Sequence, residues 1–420
     1  MSQEVFEKYE SNVRSYSRTF PTVFTWAKGS LLHDTAGREF IDFFNGAGAL
    51  NYGHNPDYIK AKLAAYLESD GIMHALDMYT VPKAEFIEYF ETKILAPRGL
   101  DYKIMFTGPT GTNAIEAGLK LARKITGRTG VFAFQGGYHG MTLGALALTT
   151  DAGSRAGAGV PLGNVTHLPA PYQYGEEFAL TYFEDLITYD HSGVELPAAL
   201  VVETVQAEGG VHVFSAAFLQ GLERICKQYG ILLLVDDIQV GCARTGRFFS
   251  FERAGIHPDI VAVSKSIGGY GMPLALLLFR PDMDIWKPGE HNGTFRGNQL
   301  SIVAAKAGLE VLLQDRVEAG VAEREAIVRD FLLQEVANIP GVKEVRGIGL
   351  IWGVDLGSDA LAGAASKAAY QAGLIMERAG RDNSVLKIMP SLVIPLDTLR
   401  QGLEIVAHSV NTALAGVSSV

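Results

Sequence analysis

The stretch ILLLVDDIQVG, residues 231–241, decides the fold class of this 420-residue chain. Five apolar residues, 231–235, precede two adjacent carboxylates, Asp236 and Asp237. Such an apolar run is typical of a strand that is buried on both faces. Because a buried strand seldom ends in acids without a partner, we expect a cationic group beside this strand end. A helix N-cap or a loop ion pair is the ordinary alternative for Asp236.

Strands and helices alternate on both sides of this stretch. Further strand patterns occur in KIMFTG, GVFAF, AALVVE, DIVAVS and LALLLF, and amphipathic helix patterns lie between several of them. The alternation predicts an α/β fold with a mainly parallel sheet covered by helices on both faces. Ligands of such sheets bind beyond the carboxyl ends of the strands. The residues that end four of these strands, in FTG, VE, VDD and VSK, should therefore converge on one site.

The two ends of the chain have different patterns. HDTAGREFIDF predicts a hairpin that turns at Ala36 and Gly37, and residues 299–335 have the pattern of one long helix. VRGIGLIWGVDL and IMPSLVI are predicted to be strands of a separate α+β domain. We therefore predict an N-terminal segment, 1–50, that packs with a small C-terminal domain, 321–420, and a large domain between them, 51–320.

Composition excludes several classes of function. The chain has 36 Lys and Arg against 46 Asp and Glu, a net charge of −10 with no basic block, so a nucleic-acid partner is not expected. Cys226 and Cys242 lie outside any CxxC or Cys/His cluster, which predicts two reduced thiols and no metal site. No apolar signal region or membrane-length stretch is present in the sequence, so we expect a cytoplasmic protein and no membrane partner.

Lys265, in VAVSKSIGG, follows directly after a predicted strand. A lysine that extends from a strand end towards solvent is the ordinary interpretation of this residue alone. Asp236 ends a neighbouring predicted strand, and one ligand needs both groups. Pyridoxal phosphate reacts with a lysine amine through its aldehyde, and its ring nitrogen needs an anionic partner to stay protonated. The pair predicts this cofactor, with the pyridinium as the cation beside Asp236.

A phosphate-binding turn is predicted in TGPTGTNAIEAGLK, where a strand leads through a glycine-rich turn into a helix. Gly111 and Thr112 can offer backbone N–H groups and a hydroxyl at the start of that helix. Asn113 and Glu116 have the spacing of a capping box with Asn113 as the cap. Tyr138, in QGGYHG, follows another strand and is either a ring that stacks on the cofactor or a core tyrosine.

Taken together, these motifs resemble the class III, or ω-type, pyridoxal-phosphate aminotransferases of fold type I, over residues 28–394. LLHDTAGREFIDFFNGAGALNYGHNP resembles the N-terminal signature of the family, and TGTNAIEAGLKLAR resembles its phosphate-binding turn. DDIQVGCARTG is similar to the family block D-E-x-Q-x-G-x-x-R-T-G, and SKSIGG is similar to the lysine block. The resemblance implies a large cofactor-binding domain and a smaller α+β domain.

The resemblance also implies a role in cofactor binding for seven residues, which are Gly111, Thr112, Tyr138, Asp236, Gln239, Lys265 and Thr294. Lys265 would bind the aldehyde and then move a proton between the substrate carbon and the cofactor. Asp236 would pair with the ring nitrogen, and Gln239 would bind the phenolate oxygen. Thr294, in HNGTFRGN, would reach the phosphate of a neighbouring subunit, which implies at least a homodimer and possibly a tetramer.

Within the family, FNGAGALNYGHN, FTGPTGTNAIEA, VDDIQVGCARTG and WKPGEHNGTFRGN resemble the branch whose members make L-2,4-diaminobutyrate, in particular the type that begins ectoine synthesis. Asp237 stands where most of the class has Glu, and this branch shares the change. The implied reaction moves an amino group from L-glutamate to L-aspartate 4-semialdehyde and gives L-2,4-diaminobutyrate and 2-oxoglutarate. The implied kinetic mechanism is ping-pong.

The two half-reactions need different surroundings for the reacting carbon, because glutamate has a carboxylate there and diaminobutyrate has none. The wider family solves this with a Glu–Arg gate. Glu208 matches the glutamate, and Lys387 stands where the arginine is expected. Lysine keeps the charge but lacks the bidentate fork of arginine. Lys387 is interpreted either as a contact for the α-carboxylate or as a surface residue of the C-terminal domain.

The sequence motifs are also compatible with other activities. Aminotransferases that act on ornithine, acetylornithine or 4-aminobutyrate share these motifs, and so does an aminomutase of the same fold. A non-catalytic binding protein is disfavoured because Lys265 and Asp236 are both present. A nicotinamide-dependent dehydrogenase is disfavoured because no GxGxxG sequence follows a strand.

Overall fold

The structure is a computed structural model that describes residues 3–416. Its α-helices are α1 Glu4–Tyr9, α2 Tyr16–Thr19, α3 Asn45–Gly48, α4 Asp57–Glu68, α5 Val81–Tyr89, α6 Gly111–Thr126, α7 Leu143–Leu148, α8 Ala152–Ala156, α9 Pro171–Tyr174, α10 Glu176–Thr188, α11 Ala216–Tyr229, α12 Gln299–Gln314, α13 Val317–Phe331, α14 Asp359–Gln371 and α15 Leu396–Ala415. Short 3₁₀ helices span Ala96–Arg98, Ser250–Ala254, Lys265–Gly268, Pro281–Met283 and Arg381–Asn383, and π-helical turns span Phe90–Leu95 and Leu332–Val336.

The β-strands are β1 Phe24–Lys28, β2 Leu31–Asp34, β3 Glu39–Asp42, β4 Lys103–Phe106, β5 Val131–Phe134, β6 Val165–Leu168, β7 Ala199–Val202, β8 Val205–Gln206, β9 His212–Val213, β10 Leu232–Asp236, β11 Ile260–Val263, β12 Leu276–Phe279, β13 Glu344–Ile348, β14 Ile351–Asp355, β15 Leu374–Ile375, β16 Glu377–Ala379 and β17 Val385–Ile388.

The central sheet has seven strands in the order β4-β12-β11-β10-β7-β5-β6. Strand β10 pairs in parallel with β7 and β11, and β5 pairs in parallel with β6 and β7. Strand β12 is antiparallel to both β11 and β4. The predicted mainly parallel α/β sheet is therefore confirmed, with β12 as the strand of opposite direction.

The apolar run 231–235 supplies the first four residues of β10, and every residue of this strand is buried. Leu233 and Val235 pack in the hydrophobic cluster that contains residues of helix α11, whereas Leu232 and Leu234 pack with residues of helix α6. Successive side chains of a strand point to opposite faces, so a strand between two helical layers must be apolar at every position.

The predicted long helix over residues 299–335 is wrong. Helix α12 ends at Gln314, α13 begins at Val317, and a π-helical turn follows from Leu332. Arg316, between the two helices, has a left-handed backbone with φ of 51°. A residue in that conformation cannot continue the helical hydrogen-bond pattern, so the chain changes direction there.

The C-terminal sheet has the order β13-β14-β17-β16, and VRGIGLIWGVDL forms the β13–β14 hairpin as predicted. The predicted strand in IMPSLVI is wrong, because β17 ends at Ile388. Beyond it, the Met389 N–H donates to the Phe43 carbonyl, and the Leu392 N–H donates to the Asn51 carbonyl. Pro390, which has no N–H to donate to a sheet, lies between these two contacts.

The N-terminal hairpin of β2 and β3 is confirmed. Strand β3 also pairs in parallel with β15, with Ile41 opposite Leu374. Residues near the N-terminus therefore share a four-stranded sheet with residues of the C-terminal part, β1-β2-β3-β15. The division at residues 50 and 320 stays a prediction.

Two further sequence features can be located. Cys226 and Cys242 are both buried, and they are not joined by a disulfide. No helix within residues 3–416 is long and apolar enough to cross a membrane.

Candidate active site

A cavity of about 270 Å³ lies at the carboxyl ends of β7, β10 and β11, beside the first turn of helix α6. Seven of the nine predicted site residues line it, namely Gly111, Thr112, Tyr138, Glu208, Asp236, Gln239 and Lys265. Lys387 and Thr294 do not line it. The structure thus brings together residues that lie up to 154 positions apart, 265 − 111 = 154.

Lys265 stands at the end of β11, where the 3₁₀ helix 265–268 begins. Its backbone has φ of 53°, a left-handed conformation that is costly for a residue with a side chain and that is common at functional sites. Burial lowers the pKa of its amine, the charge of Glu208 opposes this effect, and the charge of Lys387 adds to it. A lowered pKa increases the share of neutral amine, the form that attacks an aldehyde.

Asp236 makes its principal side-chain contact with His139, a residue without a predicted role. The Nδ1 atom of His139 lies 2.8 Å from one carboxylate oxygen, and the Ile238 N–H donates to the other at 3.1 Å. Burial opposes a charge on His139, but the hydrogen bond and the charge of Asp236 outweigh it and raise the pKa of the imidazole. The only sequence signal for His139 was its place beside Tyr138 in QGGYHG.

Glu203 is a second acid at this edge of the sheet, directly after β7. It lines the cavity, and the Tyr138 N–H donates to its Oε1 at 2.9 Å. Burial raises the pKa of Glu203 to about 7, an effect that His139 opposes and Asp236 reinforces. The sequence pattern places Glu203 at a strand end that faces the site, but it indicates no role for this residue.

The predicted helix start is wrong in detail. Helix α6 begins at Gly111, and Thr110 is its N-cap. Asn113 lies inside the first turn, and its Oδ1 accepts hydrogen bonds from the Thr110 N–H at 3.2 Å and the Thr110 hydroxyl at 2.8 Å. Glu116 instead accepts from the Thr142 hydroxyl at 2.6 Å. The capping box is therefore shifted by three residues, because Asn113 serves as its third helical residue.

The space above this helix start depends on two glycines. A Cβ on Gly111 would lie 2.8 Å from the Ile238 Cδ1 atom. A Cβ on Gly140, where φ is +133°, would lie 2.4 Å from the Thr112 hydroxyl oxygen. The first N–H groups of a helix have no acceptor within the helix, so they can bind an anion. This cradle and the buried Asp236 across the cavity fit the phosphate and the ring nitrogen of pyridoxal phosphate.

Glu208 forms one wall of the cavity, in the loop between β8 and β9. Its Oε1 accepts from Lys387 Nζ at 2.5 Å and from Gln239 Nε2 at 3.0 Å. Gln239 also donates to the Ala47 carbonyl at 2.9 Å. Burial disfavours charge on Glu208, but Lys387 and Lys265 outweigh it, so the pKa of Glu208 is lowered.

Lys387 lies behind Glu208, and its side chain is 1% exposed. The interpretation of Lys387 as a surface residue is therefore wrong. Its Nζ is also 2.9 Å from a carboxylate oxygen of Glu377. Burial works against the ammonium group, and the two carboxylates outweigh it, so the pKa of Lys387 is raised.

Sequence reasoning missed two residues here, Glu377, which contacts Lys387, and Tyr16, which contacts Glu377. Glu377 is buried and lies on β16, and the Tyr16 hydroxyl donates to its Oε1 at 3.0 Å. Burial, with a further contribution from Glu377, raises the pKa of that hydroxyl. Only the pairing of β16 with β17 brings Glu377 to Lys387, so no local motif could have indicated it.

Thr294 is exposed, in the segment between the 3₁₀ helix 281–283 and helix α12. It makes no contribution to the cavity of its own chain. The next residue, Phe295, is 65% exposed. The predicted contact of Thr294 with a neighbouring subunit stays a prediction.

Residues 13–410 match the family model described as aminotransferase class-III. The chain belongs to the class-III aminotransferases. Membership of this family implies pyridoxal phosphate as the cofactor. This agrees with the presence of Lys265, the buried Asp236 and the helix N-terminus in one cavity.

This class-III aminotransferase is 51% identical over 408 residues to a diaminobutyrate–2-oxoglutarate transaminase of Halalkalibacterium halodurans, with 97% of this chain and 96% of the relative covered. It is 50% identical over 410 residues to a transaminase of the same name from Streptomyces coelicolor, with 97% of each chain covered.

Solved structures of related enzymes have the same fold. The structure of ornithine aminotransferase from Toxoplasma gondii superposes with a TM-score of 0.85 at 26% identity. The match covers 98% of the present chain and 94% of the Toxoplasma chain. A transaminase of the marine bacterium Virgibacillus superposes with a TM-score of 0.90 at 19% identity, over 99% of each chain. The predicted fold type I architecture is therefore confirmed.

Proposed function

We propose that this aminotransferase moves the amino group of L-glutamate to L-aspartate 4-semialdehyde and gives L-2,4-diaminobutyrate and 2-oxoglutarate. The observation that carries the proposal is the position of Glu208, which lines the cavity and covers the buried cation Lys387. A side chain in this position can expose the cation to a substrate carboxylate or conceal it. The curated relatives of this name, at about half identity over nearly the whole chain, support the choice of substrate.

The mechanism assigns the central proton transfer to Lys265. When bound, pyridoxal phosphate withdraws electrons from the substrate carbon that carries the amino group, which makes its proton removable. Lys265 Nζ would hold the cofactor between turnovers. During each half-reaction it would take that proton and return it to the neighbouring carbon, as a general base and then a general acid. Burial lowers the pKa of Lys265, which makes its neutral amine more available as a base.

Asp236 would hold the proton on the ring nitrogen. Its contact with the Nδ1 atom of His139 fixes the orientation of the carboxylate before the cofactor arrives. A preoriented, buried anion stabilises positive charge more strongly than water does, because no solvent must reorganise. Gln239 would donate to the phenolate oxygen with one of the two amide N–H groups that bind Glu208 and the Ala47 carbonyl in this structure. Tyr138 would stack on the ring.

The phosphate would be held by Gly111 and Thr112 at the start of α6, and by Thr294 of a second subunit. We therefore propose at least a homodimer as the active form, possibly a tetramer. A cytoplasmic location and a role in ectoine synthesis during osmotic stress remain parts of the proposal. Ectoine synthesis would be favoured over siderophore synthesis if genes next to the one for this protein encode an acetyltransferase and a cyclase that act on diaminobutyrate.

At the gate, Glu208 would stay on Lys387 while diaminobutyrate reacts at its terminal carbon. It would turn aside when the α-carboxylate of glutamate approaches, and Lys387 Nζ would then receive that carboxylate as a point charge. A lysine contact lacks the two parallel hydrogen bonds of an arginine fork, so it orients the carboxylate less strictly.

The test is product analysis with the purified protein and added cofactor. L-glutamate and L-aspartate 4-semialdehyde should yield equal amounts of L-2,4-diaminobutyrate and 2-oxoglutarate. The rate of amino transfer to 2-oxoglutarate should be higher with diaminobutyrate than with ornithine, acetylornithine or 4-aminobutyrate. Turnover of an amino acid without any keto acid would indicate an aminomutase, and preference for another amine would overturn the choice of substrate.

A further inference from the structure

Lys387 lies between two carboxylates, although an ion-pair gate requires only one. Glu208, which lines the cavity, is 2.5 Å from Nζ, and Glu377, which does not line it, is 2.9 Å from Nζ. The three side chains, which we name the gate triad, carry one positive and two negative charges. An excess negative charge therefore remains behind the cavity wall that Glu208 forms.

Strand pairing fixes Glu377 beside Lys387. In the antiparallel pair of β16 and β17, Glu377 stands directly opposite Lys387. Side chains in opposed positions share one face of a sheet and lie within contact distance. The Tyr16 hydroxyl holds the other oxygen of Glu377 at 3.0 Å, so this carboxylate is tied on two sides.

The two acids of the gate triad lie in different settings. Glu208 lies in a loop and lines the cavity, whereas Glu377 lies on a strand, is 9% exposed and does not line the cavity. When Glu208 turns aside, Glu377 remains on Lys387. A buried cation without any counter-ion would be costly, so a permanent partner allows the gate to move.

The charge of Glu377 favours a higher pKa of the Lys265 amine. Burial lowers the pKa of Lys265, and Glu208, Glu377 and Asp236 each oppose this effect. The amine of a substrate replaces that of Lys265 at the same place during the reaction, so it is subject to the same field. Diaminobutyrate carries two ammonium groups and one carboxylate, whereas glutamate carries one ammonium group and two carboxylates.

We propose that Glu377 is a specificity-determining residue, which leaves the gate triad with one excess negative charge and thereby favours a cationic diamino acid over dicarboxylic glutamate. This inference rests on the proposed function, since it assumes those two amino donors. It assigns to Glu377 a role that differs from that of Glu208, because Glu377 acts through its fixed charge and does not move.

The test compares Glu377→Gln with Glu377→Asp, which retains the charge. Single-turnover half-reactions are measured with diaminobutyrate and with glutamate. In Glu377→Gln, kcat/KM for diaminobutyrate should fall relative to that for glutamate by about three- to tenfold, because a screened charge near the site is lost. Glu377→Asp should restore most of the ratio. A ratio that stays unchanged, or that moves towards diaminobutyrate, would overturn the proposal.

A second readout does not depend on turnover. The visible absorbance of the bound cofactor is titrated with pH in the holoenzyme. Loss of a negative charge near Lys265 should shift the transition to lower pH in Glu377→Gln and leave it nearly in place in Glu377→Asp. The matched control is Glu344→Gln, which removes an exposed acid from the same sheet, where Glu344 pairs with Arg346 at 2.6 Å.

The two readouts separate the possible failures. If the wild-type protein does not react with diaminobutyrate, the proposed function fails, and the absorbance titration still decides whether the charge of Glu377 acts on Lys265. A lower melting temperature in Glu377→Gln, with an unchanged titration and an unchanged substrate ratio, would show that Glu377 only supports the sheet and would overturn the inference.

Discussion

The Nδ1 atom of His139 lies 2.8 Å from the Oδ2 atom of Asp236, and the side chains are 1% and 6% exposed. Two buried polar groups in contact hold each other in one orientation, because neither can turn to water instead. The carboxylate at the end of β10 is therefore fixed before any cofactor binds. This is the physical basis for its proposed role as partner of the ring nitrogen.

Asp236→Asn should leave the fold intact and slow both half-reactions. Asparagine has nearly the same shape but cannot balance a positive charge on the ring nitrogen. We expect a loss of about 3 kcal/mol or more of transition-state stabilisation, roughly a hundredfold or more in rate. Single-turnover absorbance measurements with glutamate check this, and near-normal turnover would contradict the assigned role.

Asp237→Asn is the matched control, since Asp237 is buried one residue further on but does not line the cavity. The Ser250 N–H donates to its carboxylate at 3.2 Å, and the Ser250 hydroxyl donates to it as well. We expect the unfolding free energy to fall by on the order of 1 kcal/mol while the rates change little. A loss of rate as large as that of Asp236→Asn would remove the distinction between the two acids.

Borohydride reduction of the holoenzyme should attach the cofactor to the peptide that contains Lys265. Lys265 faces the cavity and has a lowered pKa. Lys265→Ala should lose covalent attachment and at least about a thousandfold in transamination rate. Lys306→Ala, which removes a lysine of α12 that does not line the cavity and is paired with Glu85, is the control and should retain both. Mass spectrometry that finds the label on another lysine would refute the assignment.

Glu203→Gln should make the cofactor-free protein relatively more stable as the pH rises. The folded wild type keeps a proton on Glu203 up to about pH 7, whereas a free glutamate loses it near 4.5. Wild-type stability therefore falls between these pH values, and the whole penalty is present above them. Glutamine cannot ionise, so Glu203→Gln does not lose stability in this way. As the pH rises, the unfolding free energy of Glu203→Gln should therefore increase relative to that of the wild type by on the order of 1–3 kcal/mol.

Urea unfolding at pH 5 and pH 8 measures this difference. Glu195→Gln, which changes an exposed glutamate, should show no such dependence on pH. If the stability difference between Glu203→Gln and the wild type is the same at both pH values, Glu203 does not remain protonated in the folded protein.

Thr294→Ala should weaken cofactor binding without a change in the cavity of its own chain. If Thr294 binds the phosphate of a neighbouring subunit, the lost hydrogen bond to a charged group should raise the Kd of pyridoxal phosphate by about tenfold or more. Cofactor titration combined with analytical ultracentrifugation is the measurement. Thr188→Ala, at an exposed position on α10, is the control. Tight cofactor binding by a monomer would contradict the proposed contact of Thr294 with a neighbouring subunit.

Lys387→Ala should slow the glutamate half-reaction markedly and the diaminobutyrate half-reaction much less. The substitution leaves Glu208 and Glu377 without their cation, so we also expect a loss of about 3–5 kcal/mol of stability. Lys387→Arg keeps the charge and should retain the glutamate half-reaction. Both half-reactions are followed by cofactor absorbance below the melting temperature, and equal losses in both would exclude Lys387 from substrate binding.

The sequence by itself determined the α/β class and most of the cavity. The apolar run of β10 can be buried only between two helical layers, and the polar residues after such strands must meet at one edge of the sheet. Asp236, Lys265 and Glu203 follow such strands, and the glycine-rich turn before α6 was also a local signal, although its N-cap is Thr110 and not the predicted Asn113. Each of these features can be predicted from residues that are near one another in the chain.

Only the tertiary structure decided the contacts between distant segments. His139 meets Asp236 across 97 positions, and Glu377 meets Lys387 through the register of β16 and β17. The surface interpretation of Lys387 failed for the same reason, because its burial depends on segments that no local pattern connects. Side-chain periodicity specifies which face of a strand is apolar, but the partner opposite each residue follows from strand register, which the whole fold fixes.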